Sequence, residues 1–94
     1  MDFNEFQLSL SKRKPPADLS SYLQSLWYDA KGDWKQAHVI IQDIEGQTAA
    51  WIHAYLHRKE GDTGNADYWY SRAGKKRAPV SLEEEWEEIV AALM

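Results

Sequence analysis

Two Gly-Asp pairs, Gly32-Asp33 and Gly61-Asp62, constrain the fold of this chain more than any other feature. They are offset by 61 − 32 = 29 residues. Glycine adopts the left-handed conformation that ends a helix without steric cost, and aspartate is a preferred N-cap of the helix that follows. Each pair therefore predicts a tight turn between two helices. Together they predict two consecutive helical hairpins.

The segment before the first turn has strong helical periodicity. Its apolar residues recur at i, i+3, i+4, i+7, i+8 and i+11 and form one stripe on a helix: Leu19, Tyr22, Leu23, Leu26, Trp27 and Ala30. Similar but weaker patterns predict three further helices, over residues 34–44, 48–60 and 64–73.

A fifth, amphipathic helix is predicted at the C-terminus. Ser81 is its expected N-cap, with Glu84 three residues later in a capping-box arrangement. The apolar stripe of this helix faces the core, and we expect its five glutamates to be exposed to solvent: Glu83, Glu84, Glu85, Glu87 and Glu88. The sequence thus predicts an all-α protein with five helices.

The chain divides into an N-terminal arm, residues 1–16, and a single helical domain, residues 17–94. The arm ends in Pro15-Pro16, which favours extended or turn geometry. It also carries Phe3 and Phe6. We expect it either to dock on the domain through these rings or to be mobile.

Composition excludes several classes of function. The 94 residues carry a net charge of −4, which argues against general nucleic-acid binding. Cysteine is absent, so disulfides, thiolate metal sites and cysteine nucleophiles are excluded. No apolar run approaches the roughly 20 residues of a membrane span, and residues 1–10 do not resemble a secretion signal. We expect a cytoplasmic protein that does not enter a membrane.

The hairpin pattern resembles the tetratricopeptide repeat. Ser25, Tyr28, Gly32, Ala37 and Ile41 match the family's small, aromatic, turn and packing positions in one unit. A second unit matches at 29 residues' offset: Ala54, Gly61, Ala66 and Tyr70. The resemblance implies a right-handed array of two helical hairpins, which the C-terminal amphipathic helix would seal. It also implies binding of a protein or peptide partner in a concave groove.

Residues 50–62 and 65–74 also resemble a family of small proteins whose function is uncharacterised. That resemblance implies no activity. The chain carries no nucleophile motif and no glycine-rich phosphate loop, because Gly61-Asp62-Thr63-Gly64 lacks a following lysine. We therefore do not expect a cofactor, and the sequence favours a binding protein over an enzyme.

The implied groove would be lined by aromatic and basic side chains of the third predicted helix. Trp51, Tyr55 and Arg58 follow at i, i+4 and i+7, with Lys59 beside them, and Tyr22 lies at the matching position of the first unit. These residues suit an acidic peptide or a carboxylate. Alternatively, the C-terminal helix or the arm fills the groove. An exposed groove would equally suit self-association.

The same helix carries a possible metal or polar site. His53 and His57 are four residues apart, so both imidazoles project from one face, and Glu60 follows one turn later. Two histidines at this spacing can chelate a divalent metal, and His38 on the preceding helix is a possible third ligand. The alternative interpretation is that these histidines are hydrogen-bonded core residues.

Overall fold

The computed structural model describes residues 1–77 and 79–94, which form six α-helices and no strand. The predicted all-α fold is confirmed. Ala78, in the connection before the last helix, lies outside the described residues. None of the helices formed by the described residues is long and apolar enough to cross a membrane. In chain order the helices are α1 (Phe3–Ser9), α2 (Ser21–Ala30), α3 (Trp34–Ile41), α4 (Gln47–Lys59), α5 (Thr63–Arg72) and α6 (Leu82–Ala92).

The two Gly-Asp turns have nearly the same local geometry. Gly32 and Gly61 have positive φ angles of 87° and 89°. The backbone N–H of Asp33 or Asp62 donates to the carbonyl five residues earlier, at 2.9 Å in both turns. Each aspartate side chain then accepts a hydrogen bond from the backbone N–H three residues later and caps α3 or α5. The turns thus join α2 to α3 and α4 to α5 as predicted.

Helix α4 lies at the centre of the molecule and packs against α2, α3, α5 and α6. Its Ile52 and Leu56 side chains are fully buried. Four different helices therefore pack on the different sides of α4. The main core that surrounds it contains Phe6, Leu26, Trp27, Ala37, Ile41, Ala49, Ile52, Tyr55, Leu56, Trp86, Ile89 and Val90.

The predicted arm contains helix α1, which the sequence pattern did not indicate. The prediction of five helices was therefore one helix too few. Asp2 caps α1, and the fully buried Phe6 ring stacks on Trp86 with 5.9 Å between ring centroids. The Trp27 indole donates to the Ser9 hydroxyl at 3.2 Å. A seven-residue helix is not stable alone, so its stability comes from this packing rather than from its own sequence.

Replacing Phe6 by alanine should therefore destabilise the whole protein. A fully buried phenylalanine truncated to alanine costs about 3–5 kcal/mol of unfolding free energy. Leu8→Ala in the same helix is the matched control, because Leu8 is 74% exposed and its loss should cost less than about 0.5 kcal/mol. Urea denaturation measures both values. Equal, small effects would show that α1 does not belong to the core.

Candidate metal centre

Three histidines meet where α3 crosses α4. His38 comes from α3, and His53 and His57 come from consecutive turns of α4. Trp34 holds the two helices together, because its indole N–H donates to the Leu56 carbonyl at 2.7 Å. The first hairpin thereby supplies one imidazole and the second hairpin supplies two.

The ring nitrogens of the three histidines converge. One nitrogen from each lies within 4.8 Å of the other two. The closest pair is His38 Nε2 and His53 Nε2, at 3.0 Å. One of these nitrogens donates the proton and the other accepts it, so His38 and His53 are hydrogen-bond partners of each other. We call His38, His53 and His57 the histidine cluster.

Two tryptophans flank the histidine cluster. Trp34 stacks on His38 with 4.9 Å between centroids and 10° between ring planes. Trp69, from α5, stacks on His53 at 4.0 Å and 21°. Stacking on the ring faces leaves the in-plane nitrogen lone pairs free to point at one another. The indoles therefore restrict the orientation of two imidazoles without using their nitrogens.

A carboxylate orients the third imidazole. His57 Nδ1 lies 3.2 Å from Glu60 Oε1. Because a carboxylate oxygen accepts, Nδ1 donates in this contact, and Nε2 is the ring nitrogen that does not face the carboxylate. A carboxylate behind a histidine in this way is the usual support of a metal-bound imidazole. Asp62 lies close to both groups but caps α5 with hydrogen bonds to Asn65.

Burial favours the neutral form of His38 and His53. Desolvation, followed by the nearby His38 and His57, lowers the pKa of His53 to about 4. Desolvation and His57 also lower the pKa of His38, although the Glu60 charge opposes this shift. Both rings are therefore neutral at pH 7, and neutral imidazole is the ligand form. His53 is 7% exposed, whereas His38 is half-buried and reaches the surface.

Two residues of the other predicted site, the groove, contact α6 of the same chain: Trp51 and Arg58. Glu85, which the sequence placed on the exposed face of α6, is 1% exposed, so that prediction was wrong. Its carboxylate accepts hydrogen bonds from Trp51 at 3.2 Å, Arg58 at 2.7 Å and the Tyr70 hydroxyl at 2.6 and 2.7 Å. Burial and this carboxylate raise the pKa of Tyr70.

The remaining groove residues are also engaged within the chain. Tyr55 is 2% exposed, and its hydroxyl donates to Asp29 at 2.8 Å. The Lys59 ammonium contacts the other oxygen of Asp29 at 3.0 Å. Tyr22 is half-buried against the main core. Binding of a protein or peptide on this face stays a prediction, and an acidic partner would have to displace Glu85 or Asp29.

Comparison with known proteins found no match to this chain among protein-family models, curated proteins or solved structures. Its function therefore has to be argued from the chemistry of its own side chains. The histidine cluster is the strongest basis, because its nitrogens have few other partners, whereas the groove residues are already paired.

The Glu85 contacts predict a large effect on stability. Glu85→Ala leaves the Tyr70 hydroxyl without its acceptor and leaves the Arg58 guanidinium with the Val80 carbonyl alone, and removing one partner of a buried ion pair costs about 3–5 kcal/mol. Glu88→Ala, three positions later and exposed, is the control and should change the unfolding free energy by less than about 0.5 kcal/mol. Chemical denaturation distinguishes them. Similar values for the two variants would contradict a structural role for Glu85.

Proposed function

We propose that the protein binds a divalent transition metal ion at the histidine cluster. The convergence of three imidazoles from two hairpins within 4.8 Å of one another is the observation that carries this proposal. Two imidazole nitrogens on one tetrahedral ion lie about 3.3 Å apart, from metal–nitrogen distances of about 2.0–2.1 Å. The closest pair is already 3.0 Å apart. Small side-chain rotations would complete the site.

A purely structural role explains the cluster less well. Leucine or phenylalanine at these three positions would fill the same space without removing imidazole from water, which costs free energy. Here the hydrogen bond between His38 and His53 compensates that cost for one nitrogen of each ring. An ion in place of the proton would bind both nitrogens and could take a nitrogen of His57 as well.

The donor set selects the kind of ion. Imidazole nitrogen suits zinc, copper and nickel, whereas calcium and magnesium require oxygen ligands. The chain has no cysteine, so a soft thiolate site is excluded. The proposed ligand is therefore a borderline divalent ion, with zinc as the reference case.

Bound metal would join the two hairpins directly, because His38 belongs to the first and His53 and His57 to the second. An ion that binds only the folded protein stabilises it by mass action. The proposed activity therefore has a physical consequence, a metal-dependent stability, that can be measured without knowing the biological process.

The test is a thermal melt of chelator-treated protein prepared without a histidine tag. Zinc at about 100 times its Kd should raise the midpoint by on the order of 10 °C, and magnesium should have no effect. His38→Gln should abolish the rise, and its half-buried position makes it the ligand least costly to replace. Glu83→Gln, an exposed ligand-type residue on α6, is the control and should retain it.

Titration calorimetry on the same samples gives the stoichiometry, which should be one ion per chain. A zinc-induced rise that survives in His38→Gln would place the ion elsewhere. No rise and no heat with zinc, copper or nickel would overturn the proposal.

We also propose that the two hairpins stack as in tetratricopeptide repeats. The matching turn geometry at Gly32 and Gly61 and the packing of α4 against both α2 and α3 support this arrangement. In that case a right-handed rotation relates the hairpins in an experimental structure. A left-handed relation would rule the arrangement out.

A further inference from the structure

The histidine cluster brings three potential ligands together, and no fourth acidic or histidine side chain of residues 1–77 and 79–94 joins it. Among the described residues, two groups of acidic or histidine side chains are compact enough to hold an ion: the histidine cluster itself, and His57 with Glu60 and Asp62. The two groups share only His57. The inference below concerns the coordination of the proposed ion and therefore rests on the proposed function.

The nearest carboxylates are engaged outside the cluster. Glu60 contacts Nδ1 of His57, the nitrogen on the protonated side of that ring. Asp62 accepts hydrogen bonds from the backbone and side chain of Asn65 at the start of α5. Either carboxylate would have to break these contacts to reach an ion held between the three rings.

The cluster is closed on some sides and open on another. The Trp34 and Trp69 rings cover the faces of His38 and His53. On the α3 side, however, His38 is only half-buried, and the neighbouring Val39 is 48% exposed. An ion at the cluster would thus be held from the α4 side and face solvent along the edge of α3.

We propose that the bound ion keeps its fourth coordination position open to water or a small monovalent anion. Structural zinc sites are closed by four protein ligands, whereas sites with three protein ligands hold an exchangeable molecule in the fourth position. Three neutral imidazoles also leave the full charge of +2 on the ion. That charge attracts anions and lowers the pKa of zinc-bound water to about 7 in a three-histidine environment.

Cobalt substitution tests this inference without any assay of activity. Co²⁺ in a four-coordinate nitrogen site has intense visible absorption bands that respond to every change of ligand. Chelator-treated protein is loaded with Co²⁺, and its spectrum is recorded across pH 6–9 and during titration with sodium azide. We expect bands that shift with pH near neutrality and a saturable azide-induced change, both absent in His38→Gln.

The outcomes separate the inference from the proposed function. Intense bands that change with neither pH nor azide mean that a protein group fills the fourth position, which overturns the inference and leaves metal binding intact. Absence of any cobalt spectrum, together with no zinc heat in calorimetry, overturns both. A Glu60→Gln variant identifies the closing group: if azide binds only to that variant, Glu60 is the fourth ligand in the natural protein.

Discussion

Two buried carboxylates hold the helices around α4. Asp29 of α2 forms an ion pair with Lys59 of α4, and Glu85 of α6 forms one with Arg58 of α4. A buried carboxylate without such a partner is strongly destabilising, so α4 cannot rotate or slide without breaking both contacts. Because side chains on a helix have fixed relative directions, fixing this side also fixes where His53 points.

The two sides of α4 consequently differ in how fully their polar groups are paired. On the side of α2 and α6, aromatic hydroxyls, an indole and two cations all meet carboxylates of the same chain. On the side of α3, the imidazoles of His38 and His53 meet mainly each other. The charged groups on the first side are therefore paired within the chain. The imidazoles where α3 packs on α4 have few partners other than each other.

The parts of the fold that could be predicted are those that depend on local sequence. Turns at Gly32 and Gly61 need only one residue of positive φ and one cap, so the hairpins were evident. Helix α1 was not, because its stability depends on contacts distant in the chain. Glu85 sits in a run of glutamates that looks uniformly exposed, and its donors are too far away in sequence to signal its burial. The spacing of His53 and His57 predicted two imidazoles on one helix face, and His38 was a possible third member. How close His38 comes to them depends on the packing of α3 against α4, which the sequence pattern does not specify.

The indoles that flank the histidine cluster give the protein a built-in optical reporter. Trp34 and Trp69 are two of its five tryptophans, and each has an imidazole against its ring face. Whatever changes the charge on His38 or His53 changes the local field at a stacked indole. The intrinsic fluorescence of the unlabelled chain thus responds to the state of the α3–α4 contact, while the other three tryptophans are hydrogen-bonded to carbonyl, hydroxyl or carboxylate groups elsewhere.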